Sequence, residues 1–246
     1  MKKHLAGIAI CAALSPTALA DTVLGIYAGA ATWQSSLSGD FNSEDQSDID
    51  TEDQLGLDDE DANTFYVALE HPIPLVPNVK LRRTELDYSE RTALVAPVTF
   101  EGQTFSGTTE STIDLSHTDG TLYYELLDNV VSLDVGLTAR VFDGKVELAD
   151  ADSKESIDLD ATLPMLYGAV LAKLPLTGLY AGVEANYISV GEGSLYDATA
   201  KIGYESSIGL GVEGGYRVIN LSLEDVDDLE SDLTSDGAYA AVTYHF

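Results

Sequence analysis

Along the segment VVSLDVGLTARVF, Val131, Leu133, Val135, Leu137, Ala139 and Val141 share one phase of a two-residue repeat, and Ser132, Asp134, Gly136, Thr138 and Arg140 share the other. Successive side chains of a β-strand point to opposite faces, so this alternation predicts a strand with one apolar and one polar side. The next segment sets Ile157, Leu159, Ala161, Leu163, Met165, Tyr167, Ala169 and Leu171 against Asp158, Asp160, Thr162 and Gly168. Its length exceeds the five or six residues typical of a strand in a soluble sheet. The pattern returns with Leu179, Ala181, Val183, Ala185 and Tyr187 opposite Glu184 and Asn186, with Tyr196, Ala198, Ala200, Ile202 and Tyr204 opposite Asp197 and Lys201, and with Ile208, Leu210, Val212, Tyr216 and Val218 opposite Glu213 and Arg217.

The links between these segments alternate in kind. Short ones fall at 71–78, 127–130, 173–178 and 205–209, and longer acidic ones at 40–63, 92–109, 149–156 and 224–232, with GEGS at 191–194 a short member of the second set. Short turns at one end and long loops at the other predict an all-β, antiparallel, up-and-down transmembrane β-barrel. About ten strands are expected, near 22–37, 62–71, 79–92, 109–127, 130–148, 156–173, 178–190, 194–205, 208–223 and 234–246. Eight or twelve stay open. The third strand is irregular, because Val79 and Leu81 are out of phase with Leu86 and Tyr88, which suggests a bulge or a misplaced boundary. An even count puts both termini at the short-turn, periplasmic end.

The chain ends AYAAVTYHF, with Ala238, Ala240, Val242, Tyr244 and Phe246 on one face. Pairing of this strand with the first would close the barrel and remove its free edges. The ending resembles the C-terminal assembly signal of bacterial outer-membrane proteins, which implies that Val242, Tyr244 and Phe246 are read by the barrel-insertion machinery. The same residues also fit a lipid-facing aromatic girdle, as do Tyr196, Tyr204 and Tyr216. With the opening LGIYAGAATWQ, the chain resembles the small outer-membrane β-barrel proteins of gammaproteobacteria, similar in layout to the outer-membrane protein A and W barrels. No peptidoglycan-binding domain is expected beside the barrel. The resemblance implies an outer-membrane location and is silent about activity.

Composition sharpens the picture. Met1, Lys2, Lys3 and His4, the apolar stretch from Leu5 to Leu14 and Ala18-Leu19-Ala20 read as a secretory signal, residues 1–20, leaving 21–246 as one barrel domain. Cys11, the only cysteine, follows Ile10 where a lipoprotein signal wants a small residue, so it is expected to leave with the signal. Loss of Lys2 and Lys3 lowers the basic residues from 12 to 10 against 42 acids, a net charge near −32. Such a charge argues against nucleic-acid binding, which depends on neutralising phosphates. After the signal, no apolar run is long enough for a transmembrane helix.

The polar phase of the strands defines a candidate lumen set: Glu70, Glu125, Asp134, Arg140, Glu184, Lys201, Glu213 and Arg217, with Asp197, Arg82 and His245 beside them. In so narrow a barrel these side chains either pair into a plug or line a narrow water path or small-ligand site. The stretch from Asp40 to Asp61 holds eleven acids and no base, and is expected to be a solvated, mobile loop. Its carboxylates could hold Ca²⁺ or Mg²⁺ diffusely near lipopolysaccharide, but Asp53 stands where a calcium loop needs glycine. No cofactor is implied.

An enzyme reading has one foothold, His117 two residues from Asp119 on one strand face, where a carboxylate could orient an imidazole base. No second acid pair accompanies it, and Ser116 and His117, being neighbours, face opposite ways. His71 and His245 near the short-turn rim lack a third metal ligand. Trp33, the only tryptophan, is expected as an anchor at the outer membrane interface. The sequence therefore points to a non-enzymatic outer-membrane barrel with a structural or surface-interaction role. The alternative is a narrow channel for small solutes or apolar ligands, and a rim protease comes third.

Overall fold

A computed structural model describes residues 24–43, 46–73, 75–191, 193–226 and 229–246, so the expected signal and Cys11 lie outside the described residues. Ten strands alternate up and down: β1 (Gly25–Ser43), β3 (Asp59–Glu70), β4 (Asn78–Glu85), β9 (His117–Asp128), β10 (Val131–Phe142), β13 (Thr162–Lys173), β14 (Leu179–Val190), β15 (Gly193–Glu205), β16 (Leu210–Val226) and β17 (Leu229–His245). Each pairs antiparallel with its neighbours in that order, and β17 returns to β1 from Tyr27↔His245 to Ser43↔Leu229. The sheet is closed. A two-residue strand, β2 (Ile49–Asp50), adds to the far end of β1.

Outward side chains form the apolar belt that a bilayer requires. Phe65, Leu81, Leu122, Leu137, Val183 and Val212 are all exposed on the outside, while their polar neighbours turn inward. No helix among the described residues is long and apolar enough to cross a membrane, a test that does not bear on strands.

Four barrel strands do not stop at the end of the belt. The strand β4 continues into β5 (Asp87–Ala93), β8 (Thr108–Asp114) leads into β9, β10 continues into β11 (Gly144–Ala149), and β12 (Lys154–Leu159) leads into β13. These extensions form a second sheet in the order β12-β11-β8-β5. Backbone bonds from Leu115 N to Leu86 O (2.8 Å) and from Phe142 N to Ala161 O (2.9 Å) carry the ladder across the breaks. The sheet leans over the barrel mouth as a cap. A small hairpin of β6 (Val98–Phe100) and β7 (Gln103–Phe105) buries Phe100 and Phe105 in it.

The cap corrects three readings of the sequence. Leu86 and Tyr88 are fully buried and share an inward phase with Lys80, Arg82 and Thr84, whereas Leu81 faces out. The apparent slip in the third strand is therefore a change of surroundings, from a polar lumen to an apolar core, without a bulge. In β13 the inward face carries the buried Met165 and Tyr167, and Leu166 and Val170 face outward, so that strand is apolar on both sides. The acidic stretch 40–63 is largely structured: β1 runs to Ser43, β3 starts at Asp59, and Ile49, Leu55 and Leu57 between the acids are buried against Leu37 and Phe41. Asp50 Oδ1 accepts the amides of Glu52 (3.0 Å) and Asp53 (2.6 Å), which fixes the turn.

Inward residues of the far wall complete the cap core. Ile219 and Leu221 of β16 and Leu233 of β17 pack with Leu86, Tyr88, Ile113 and Leu148 in one cluster. Burial of each such side chain is worth roughly 1.5–3 kcal/mol.

Candidate functional site

Beneath the cap the lumen is crossed by a layer of ion pairs. The β-ladder sets Arg82 of β4 and Arg140 of β10 on either side of Asp119 of β9. Arg140 Nε and Nη2 donate to the two Asp119 oxygens at 2.8 Å each, and Arg82 approaches at 3.4 Å. The same Arg140 reaches Asp197 of β15 at 2.5 Å, where Arg217 of β16 forms a fork of 2.9 and 2.7 Å. Arg217 also donates to Thr64 (3.2 Å) and Thr84 (3.3 Å). Glu184 of β14 accepts Lys80 at 2.7 and 2.8 Å and Arg82 at 3.0 Å. Seven strands are tied together by four cations and three carboxylates.

Short arginine forks suit this level of the barrel, because a buried carboxylate is tolerated only when its oxygens are satisfied. Removing one partner of a buried pair typically costs about 3–5 kcal/mol.

Between the ion-pair layer and the hairpin end lies a cavity of about 650 Å³. Its wall sets phenols (Tyr27, Tyr66, Tyr123, Tyr167, Tyr239) and carboxylates (Glu70, Glu125, Asp128, Asp134, Glu184, Glu213) beside the cations Lys80, Arg82, Lys173, Lys201 and Arg217, with the carboxylates one in excess. Tyr123 donates to Glu70 (2.8 Å), Asn78 donates to Glu125 (3.2 Å), and Tyr239 (2.7 Å) and Tyr180 (3.1 Å) donate to Glu213. Lys201 pairs with Glu213 at 3.3 Å. His71 and His245 stand at the mouth, and His245 stacks on Tyr27 with ring centres 4.1 Å apart.

Of the lumen set named from the sequence, Glu70, Glu125, Asp134, Glu184, Lys201, Glu213 and Arg217 line this cavity and Arg140 lies in the layer above. The polar phase of the strands did not single out Lys80, and it left Asp119 as a partner for His117. The lumenal tyrosines went unread because a phenol suits a lipid interface and a polar lumen equally. Trp33 is not the expected anchor at the outer interface. It faces inward, 1% exposed, with the Arg217 guanidinium 5.0 Å above its ring, because the odd-numbered residues of β1 point to the interior. At the chain end, Val242 and Phe246 face outward, and the rings of Tyr244 and Phe246 meet edge to face at 4.3 Å.

The histidine foothold reads differently in three dimensions. His117 is buried, its Nδ1 bonds the Leu115 carbonyl at 2.8 Å, and Asp119 gives both oxygens to Arg140. His117, Asp119 and Asp197 do bring ligand atoms within 4.8 Å of one another. They do not fit a divalent cation, since Arg140 and Arg217 occupy the carboxylates and the surrounding layer already carries one positive charge in excess.

No protein-family model matches the chain, and no curated protein matches it. Among solved structures, the outer membrane protease OmpT from Escherichia coli is similar over 90% of this chain and 97% of its own, with 9% identity and a TM-score of 0.48. A FadL homologue from Pseudomonas aeruginosa matches over 91% and 90% at 10% identity and a TM-score of 0.34. The outer membrane protein AlkL matches over 96% of both chains at 11% identity and a TM-score of 0.29. Likeness at this level transfers neither ligand nor activity. The closed ten-stranded sheet with its apolar belt is itself an outer-membrane-type β-barrel.

Proposed function

We propose that this chain is a small-solute conduit of the bacterial outer membrane, with both termini periplasmic and a lumenal cavity that receives solute from the hairpin end. The cavity of about 650 Å³ carries this reading, since a barrel with a purely structural role has no need of an open volume lined by directed polar groups. The ion-pair layer and the cap close the opposite end in this conformation. Passage requires the cap to lean away about the strand breaks at Leu86, 115–116, Asp143 and 160–161. The carboxylate and phenol lining favours a polar, cation-bearing solute over a hydrocarbon.

The reading includes no catalytic step, consistent with the burial of His117 and the engagement of Asp119 by arginine. The finer kinship with small gammaproteobacterial barrels, and recognition of Val242, Tyr244 and Phe246 by the insertion machinery, belong to the same proposal. So does diffuse Ca²⁺ or Mg²⁺ between the acidic cap and lipopolysaccharide.

A second reading makes the cap a surface-interaction platform, favoured by its folded sheet in place of a loose loop. Planar-bilayer conductance separates the two, with heat-dependent gel mobility as the folding control. Discrete, cation-favouring steps that grow in Arg217→Ala are expected. A folded barrel that stays silent with and without the substitution would overturn the conduit in favour of the platform.

A further inference from the structure

The cavity has an upper and a lower half that differ in how their carboxylates are paired. In the upper half a cation is built in: the Lys80 ammonium sits on Glu184, 5.3 Å from the centre of the Tyr66 ring and 5.8 Å from that of Tyr167. Carboxylate and aromatic faces together make a good cation seat, because charge attraction and the ring quadrupole act in the same direction. In the lower half Glu70, Glu125, Asp128 and Asp134 stand with Tyr27 and Tyr123 and a single lysine, Lys173, and among the described residues neither Lys173 nor any other cation comes within ion-pair distance of Glu70, Glu125 or Asp134.

The backbone concentrates that negative charge. Glu125 and Asp134 stand directly opposite each other in the β9–β10 ladder, and like charges so placed are destabilising. A register shift beside Asp134 inserts an extra residue into β9, so Leu126 and Leu127 both face outward while Glu125 and Asp128 both line the cavity. Bulges of this kind re-aim side chains at functional sites. Asp134 Oδ1 is buried and has no hydrogen-bond partner among the described residues.

We infer that the lower half of the cavity binds an organic cation, an amine or quaternary ammonium, seated between tyrosine rings and neutralised by Glu70, Glu125 and Asp134. A bare metal ion fits less well, since the oxygens of the three are not gathered within 4.8 Å of one another as those of a compact metal site are. The inference rests on the conduit reading for the identity of its solute class.

Calorimetry on the folded barrel in detergent tests it, using choline, its neutral isostere 3,3-dimethyl-1-butanol, spermidine and Ca²⁺. Trp33, which lines the upper wall, supplies an independent emission signal. Choline and spermidine are expected to bind, the neutral isostere at least tenfold more weakly, and the isosteric variants Glu125→Gln and Asp134→Asn to lose tenfold or more in choline affinity. Equal binding of the neutral isostere, unchanged affinity in both variants, saturation by Ca²⁺ alone, or no binding of any probe would overturn it. Conductance without cation binding would leave the conduit standing and this site fallen; cation binding to a barrel that never conducts would do the reverse.

Discussion

Arg140 of β10 spans the lumen to within 2.5 Å of Asp197 on β15, and Arg217 holds the same carboxylate oxygen at 2.7 Å. One aspartate thus bridges two arginines from different sides of the barrel. Asp197→Asn leaves both guanidiniums buried beside a neutral amide, and a loss of about 3–5 kcal/mol is expected. Urea unfolding in lipid vesicles, followed by loss of the heat-dependent gel shift, measures it. A change below about 1 kcal/mol would show that water enters and relaxes the layer.

Tyr88 on β5 closes a buried hydroxyl cluster with Ser35 of β1 (2.6 Å) and Ser235 of β17, which lie 2.7 Å from each other. This is the polar clasp between the cap and the far barrel wall. Tyr88→Phe keeps the packing and is expected to cost about 1–3 kcal/mol, the penalty of leaving buried hydroxyls underused. Limited proteolysis should cut the cap of the variant sooner while the barrel keeps its gel mobility.

Asp87 and Asp114 oppose each other across the β5–β8 ladder in the cap. Burial first, and then Asp114, push the Asp87 carboxyl above the usual carboxylate range. A folded-state shift in that direction is a penalty on stability that applies above the folded value and is relieved as the pH falls through it. Asp87→Asn should therefore protect cap amides at neutral pH by a few tenths of a kcal/mol, less in high salt. Hydrogen exchange should show the gain vanish in acid.

The inward position of Trp33 gives an optical test. Brominated lipids quench a tryptophan at the membrane surface of a barrel, and here the ring lies inside under Arg217. Emission unaffected by the bromines is expected. Strong quenching would place the ring on the lipid side.

The closed barrel was legible because Val135, Leu137 and Val141 must face lipid for 131–142 to be stable in a bilayer, and the alternation records that demand. The lumen residues followed as the other phase. The cap was not legible, since Leu86, Ile113 and Val146 carry the same two-residue period as the belt and only their facing is reversed. The acidic stretch misled for a related reason: eleven acids outweigh Ile49, Leu55 and Leu57 in any average, although those three apolar residues anchor it. The apparent slip of its strand leaves the inward phase open, so of that phase only Arg82 is set beside the lumen and Lys80 is not. Asp119 was noticed beside His117, but its true partners come from β4 and β10, and distant pairing leaves no local signal.

The unbroken phase of β4–β5 and β10–β11 also acts as a depth gauge. Leu81 and Val141 are apolar on the outside, while Leu86, five residues on, and Phe142, the next residue, are apolar on the inside. A barrel that sank by a few residues would carry the acids outside the cap into hydrocarbon, and one that rose would lift the belt into water. The point of reversal marks where the bilayer ends on this molecule, so its height in the membrane is written into the strands themselves.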